Sequence, residues 1–200
     1  MTLRDHIHDM GRRGHEASRR LAQLPASAKN AILLAMADGL LRDEAAILTA
    51  NTKDLDAAVA KGLSSAMIDR LTLNPKRIAD MAQGIREVAA LTDPVGEILT
   101  EWTRPNGLRI DKVSSPIGVV VIIYESRPNV TADAASLCLK SGNACILRGG
   151  KEALNSNQMI AELMVSAARG ARSQPATLAR SRTGSATTLR AGGGRTGAGS

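Results

Sequence analysis

The chain has 200 residues, of which 44% are hydrophobic, enough for one large or two small domains with a sizeable core. Only 1% is aromatic, with one Trp, one Tyr and no Phe, so the core is aliphatic and stacking platforms for single-stranded nucleic acid are nearly absent. The formal charge of +7 resides in the C-terminal tail, because removing the six arginines after Ala167 leaves 20 basic against 19 acidic residues.

In chain order, Leu3 to Leu24 reads as a charged amphipathic helix interrupted at Gly11 and Gly14. Pro25 suits a helix start, and Ala28 to Leu41 follows. A third helical stretch begins at Arg42 or Asp43, is ended or recapped at Asn51, and continues from Asp54 to Ala60 until Gly62 stops it. Ser65 to Leu71 is a short helix. Asn74-Pro75 pairs a good N-cap with proline at the first helical position. The helix it starts carries Ile78, Met81, Ala82, Ile85, Val88, Ala89 and Leu91 on one face and ends at Asp93-Pro94. Ile98 to Arg104 and Leu108 to Val113 read as strands, and Pro105-Asn106-Gly107 closes them into a hairpin.

Ile117 to Ile123 is an unbroken apolar run, the pattern of a parallel strand covered on both faces. A polar loop follows to Asn129, then a helix from Val130 to Lys140. Gly142 is suited to a left-handed stop, and a second apolar run, Ala144 to Leu147, leads to Arg148-Gly149-Gly150. This is a β-α-β unit with a polar loop after each strand, where open α/β sheets place ligands. Leu154 to Ala168 is the last helix. Beyond it the text is mostly Ala, Arg, Gly, Ser and Thr with few large apolar residues, and Glu162 is the last acidic residue. Such a composition is expected to be disordered. The abrupt change reads as out-of-frame translation of GC-rich DNA, with a genuine basic nucleic-acid-binding tail as the alternative.

The three histidines, His6, His8 and His15, all fall in the first helix, where His6 and His8 point to different faces, so no metal site is expected. Cys138 and Cys145 lie among apolar neighbours and read as packing residues rather than nucleophiles. Two cysteines give no disulfide framework and suit a reducing compartment. No apolar run spans a membrane, and MTLRDHIHDMGRR has no apolar signal core, so a cytoplasmic protein is expected. The loops after the two strands are the better site. Arg127, Arg148 and Lys151 are cationic there, and Gly149-Gly150 allows close backbone approach. No G-x-G-x-x-G and no P-loop is present.

The blocks YESRPNVT and CLKSGNACILRGGKEA resemble the γ-glutamyl phosphate reductase family of the aldehyde dehydrogenase superfamily, as do LTANTKDLDAA and MIDRLTLNPKRIADMAQGIREVAAL. The resemblance runs from about Leu3 to Ala167. It implies an α/β fold: an N-terminal helical region over 1–96, a β-hairpin over 97–115, part of a dinucleotide-binding domain over 116–168, and a disordered tail over 169–200. It also implies NADPH-dependent reduction of L-glutamate 5-phosphate to the semialdehyde in proline biosynthesis, through a cysteine thioester. The superfamily binds its dinucleotide without the usual glycine fingerprint. The implied cofactor-binding residues are Tyr124, Glu125 and Ser126 after the first strand, and Arg148, Gly149, Gly150, Lys151 and Glu152 after the second. Arg148 would suit a 2′-phosphate. Arg127 and Asn129 are implied to face substrate, and a homo-oligomer is expected. Neither cysteine matches the family nucleophile, so the chain is expected to contain no catalytic residue and to be inactive. The alternative is a non-catalytic nucleotide-binding fragment with a basic tail.

Overall fold

The computed structural model describes residues 2–171, 176–180 and 186–191. Five helices come first: α1 (Leu3–Leu21), α2 (Ala26–Arg42), α3 (Glu44–Ala60), α4 (Ser65–Leu71) and α5 (Pro75–Ala90). Local chemistry sets most of their ends. Thr2 and Asp5 form a reciprocal capping box on α1. Asn74 caps α5 through Arg77 N at 2.8 Å, with Pro75 at the first position. Gly62 ends α3 with φ +69.

Two expected interruptions are absent. Gly11 and Gly14 do not break α1. Met10, Gly14, Ala17 and Leu21 form one buried stripe along it, and that tertiary contact outweighs the weak helix propensity of glycine. Asn51 does not end α3. It is 1% exposed, and its side chain accepts from Leu73 N and donates to the Leu71 carbonyl and to Ser156 Oγ. With distant partners satisfying the amide, it does not compete for its own backbone.

The hairpin β1 (Ile98–Thr103) and β2 (Arg109–Val113) is antiparallel and largely exposed. The β-α-β unit follows as β3 (Val119–Ile123), α6 (Asn129–Lys140) and β4 (Ala144–Arg148), with the strands parallel and Ile123 opposite Arg148. β4 is buried along its first four residues, whereas Val121 is 59% and Ile123 71% exposed. The apolar run of β3 predicts cover on both faces. In the structure Val119, Val120 and Ile122 pack on the core, while the face carrying Val121 and Ile123 is open.

A 3-10 turn (Lys151–Ala153) leads into α7 (Leu154–Gly170). The strands β5 (Ala176–Arg180) and β6 (Ala186–Ala191) complete the second sheet in the order β3-β4-β6-β5. The disorder expected over 169–200 falls outside the described residues for 172–175, 181–185 and 192–200. Within that stretch α7 runs to Gly170, and β6 pairs antiparallel with β4.

One aliphatic core joins α1, α2, α5, α6, α7 and the β3-β4 pair through Leu21, Leu33, Met36, Ile78, Ile85, Leu139, Leu147 and Met164. Helices α2 and α7 pack tightly at Gly39, where a β-carbon would stand 2.9 Å from Ala167 Cβ. Gly39→Ala should therefore destabilise the protein by about 1–3 kcal/mol despite the better helix propensity of alanine. A urea midpoint at or above that of the wild type would contradict the close packing.

Candidate functional site

The carboxyl ends of β3 and β4 lie side by side, with Tyr124 N donating to the Arg148 carbonyl at 3.0 Å. The two polar loops are thereby brought together, as the β-α-β reading requires. Tyr124 turns inward, and its hydroxyl shares a 2.7 Å hydrogen bond with Thr131 Oγ1. Burial pushes its phenol up, with the Thr131 bond opposing. Gly149 packs so tightly that an added β-carbon would collide with the Asn157 amide and stand 2.9 Å from the Tyr124 ring. Tyr124 and Gly149 therefore build the floor of the site.

Ser126 and Glu152 tie one loop to the other, the Ser126 hydroxyl donating to Glu152 Oε2 at 2.7 Å. That bond, more than any other cause, holds the Glu152 carboxyl below its ordinary range. A β-carbon on Gly150 would stand 2.5 Å from Ser126 Oγ, so glycine is needed where the loops cross.

Two cavities open over this floor. One, about 410 Å³, is lined by Glu125, Ser126, Arg127, Gly150 and Glu152, with Met67 and Arg70 of α4 opposite. The other, about 420 Å³, is lined by Arg127, Asn129 and Asp133 on one side and by residues of α4 and α5 on the other. Arg127 and Arg70 belong to both and so mark the seam. Of the residues expected to hold a cofactor, Glu125, Ser126, Gly150 and Glu152 line the first space, while Asn129, expected to face substrate, lines the second and Arg127 lines both. Arg148 and Lys151 line neither cavity and are exposed beside them. Asn129 donates to Asp133 Oδ2 at 3.2 Å, and burial raises the Asp133 carboxyl against the pull of that bond.

Sequence reasoning missed the far wall. Arg70 and Met67 come from a helix read only for packing, and the charge at Arg70 carried no signal until α4 was placed opposite Arg127. Both cysteines are buried, as expected. Cys138 is 7% exposed and Cys145 0%. A hydrogen bond from the neighbouring thiol of Cys145 draws Cys138 down, against burial. Among the described residues no cluster of His, Cys, Asp or Glu could hold a metal ion, and no helix is long and apolar enough to cross a membrane.

No protein-family model matches the chain. It is 58% identical over 165 residues to a γ-glutamyl phosphate reductase from Moorella thermoacetica, which covers 82% of this chain and 40% of that protein. It superposes on the crystal structure of γ-glutamyl phosphate reductase from Thermotoga maritima with a TM-score of 0.82 and 40% identity, over 84% of this chain and 41% of that one. A salicylaldehyde dehydrogenase from Pseudomonas putida, at 19% identity and a TM-score of 0.63 over 83% of this chain and 32% of that one, shares the fold alone. The chain spans about 40% of the length of the curated relatives it matches.

Proposed function

The matched part of this chain belongs to the γ-glutamyl phosphate reductase family, and from that premise we propose that its two cavities are adjoining cofactor and substrate subsites. The whole protein then reduces L-glutamate 5-phosphate to L-glutamate 5-semialdehyde with NADPH, a step of proline biosynthesis in the cytoplasm. The nicotinamide dinucleotide, when bound, supplies the hydride. The residues present fit such a ligand. Glu125 and Glu152 are acceptors for ribose hydroxyls, Gly150 leaves backbone accessible, and Arg148 stands beside the cavity with no side-chain partner among the described residues. An arginine fork at that place suits a 2′-phosphate, hence NADPH. Arg127 and Asn129 face the substrate cavity.

The observation that carries this reading is the division of the loop residues between two spaces with Arg127 as their common wall. Self-association is part of it, supported by the exposed apolar side chains of the hairpin at Ile98, Leu99, Trp102 and Val113.

Because both thiols of the sequence are buried, the 200-residue chain should bind the dinucleotide without turning substrate over. A fluorescence titration tests this. NADPH should bind more tightly than NADH, and Arg148→Ala should weaken NADPH about tenfold while leaving NADH unchanged. Equal affinities for the two dinucleotides, unaltered by the substitution, would overturn the NADPH assignment.

A further inference from the structure

We propose that Arg70 and Arg127 form a two-guanidinium clamp for a phosphoryl group at the seam between the cavities, with Arg70 supplied by the helical layer. This rests on the reading of the seam as a ligand site and adds a residue to it that neither the loop motifs nor the β-α-β topology indicates.

Both arginines line both cavities, and both side chains are exposed. Neither guanidinium makes a hydrogen bond or ion pair with another described residue. The other cations around the 420 Å³ cavity are committed. Arg77 donates to the Asp69 carbonyl at 2.5 Å, to the Thr72 carbonyl at 2.6 Å and to Asp69 Oδ1 at 2.9 Å. Lys76 pairs with Asp80 at 2.9 Å.

The same Arg77 bonds pin the C-terminal end of α4, and Leu71 beside Arg70 is 1% exposed. Arg70 therefore projects a free, permanently charged fork from a fixed backbone, an arrangement that recognises a planar-edged dianion at small cost in ordering.

The two sides of the seam differ in their other polar groups. The 410 Å³ cavity holds Glu125, which has no side-chain partner among the described residues, and Glu152, which accepts from Ser126. In the 420 Å³ cavity Asp69 and Asp80 pair with Arg77 and Lys76, and Asp133 accepts from Asn129. Arg70 and Arg127 are thus the cations of this space that no described carboxylate pairs with. The favoured ligand is a small phosphorylated molecule seated beside Asn129, which lines the 420 Å³ cavity and not the other, with the phosphate of a dinucleotide as the other source of the same chemistry.

The test is calorimetric titration of the full 200-residue chain with inorganic phosphate, acetyl phosphate and 2′-phospho-ADP-ribose. Arg70→Met and Arg127→Met should each weaken phosphate and acetyl phosphate about tenfold. Arg70→Lys, which keeps the charge and loses the fork, should fall between Arg70→Met and the wild type. Lys76→Met, which removes a committed cation, should change either affinity less than twofold. If 2′-phospho-ADP-ribose binds the Arg70 variants as it binds the wild type, the clamp holds the small ligand. If it weakens in parallel, the clamp stands with the dinucleotide phosphate as its source. Unchanged phosphate affinity in Arg70→Met and Arg70→Lys overturns the clamp, as does failure of the wild type to bind phosphate. Either result leaves the NADPH titration to judge the cofactor reading separately.

Discussion

Asp54→Ala should lower stability by about 3–5 kcal/mol in urea unfolding. Asp54 sits on α3, is 3% exposed, and accepts four hydrogen bonds from the start of α7. They come from Asn155 N at 3.1 Å, Asn155 Nδ2 at 2.7 Å, Ser156 N at 2.8 Å and Ser156 Oγ at 2.7 Å. No side chain of its own caps α7, so a carboxylate from a different helix satisfies the free N–H groups of its first turn. Alanine leaves the two Ser156 donors buried without this partner and frees the two donors of the exposed Asn155. Asp54→Asn keeps one acceptor oxygen and should cost less. The loss should also reach the site. The turn that ends in α7 carries Gly150 and Glu152, and its position depends on where α7 begins. NADPH affinity should therefore fall in Asp54→Asn even under conditions where the protein remains folded. Unfolding midpoints of both variants within about 0.5 kcal/mol of the wild type would show that water replaces the carboxylate.

The second large effect concerns the cations inside the helical layer. Lys29 is 1% exposed and meets Asp93 Oδ2 at 2.5 Å. Lys140, 3% exposed, donates to Asn30 Oδ1 at 2.7 Å and to the Ala89 carbonyl at 2.8 Å. These contacts fasten the end of α5 to α2 and α6. Asp93→Asn leaves the Lys29 ammonium buried against a neutral amide and should destabilise by about 3–5 kcal/mol, while the double change Lys29→Met with Asp93→Leu should cost less than either alone.

The pair also sets an acid limit. Burial alone would raise the Asp93 carboxyl. The Lys29 hydrogen bond, the Val95 N–H and the charges of Lys29 and Lys140 outweigh it, so the carboxyl titrates below its ordinary range. A carboxyl depressed in the folded state contributes fully above its unfolded pKa, about 3.9. That contribution is lost as pH falls through the lower folded value. The gap in urea midpoint between wild type and Asp93→Asn should be constant at neutral pH and narrow below about pH 4. A gap that widens on acidification would reverse the assigned sign.

What could be read ahead of the structure was chemistry that acts locally. Asn74-Pro75 and the turn at Pro105-Asn106-Gly107 needed no distant partner, and Gly142 has the expected left-handed backbone, φ +72. Two parallel strands with α6 between them followed from apolar runs and stop signals, and placing the loops together followed from topology. Asn51 and Asp54 were illegible because their partners lie up to 105 residues away in sequence. Their side chains read as helix breakers or surface groups until α7 is packed against them. Arg70 was illegible for a related reason: its role depends on which loop α4 faces. The exposed face of β3 was misjudged because an apolar run reports the wish for cover on each face and not whether anything described lies there.

The most direct test of paired subsites is amide hydrogen exchange on the 200-residue chain with and without saturating NADPH. Protection concentrated at 124–126 and 149–152, with little change in the hairpin 98–113, is the expected pattern. Protection confined to other segments, or none at a concentration that saturates the fluorescence titration, would contradict the assignment of these loops as the cofactor subsite.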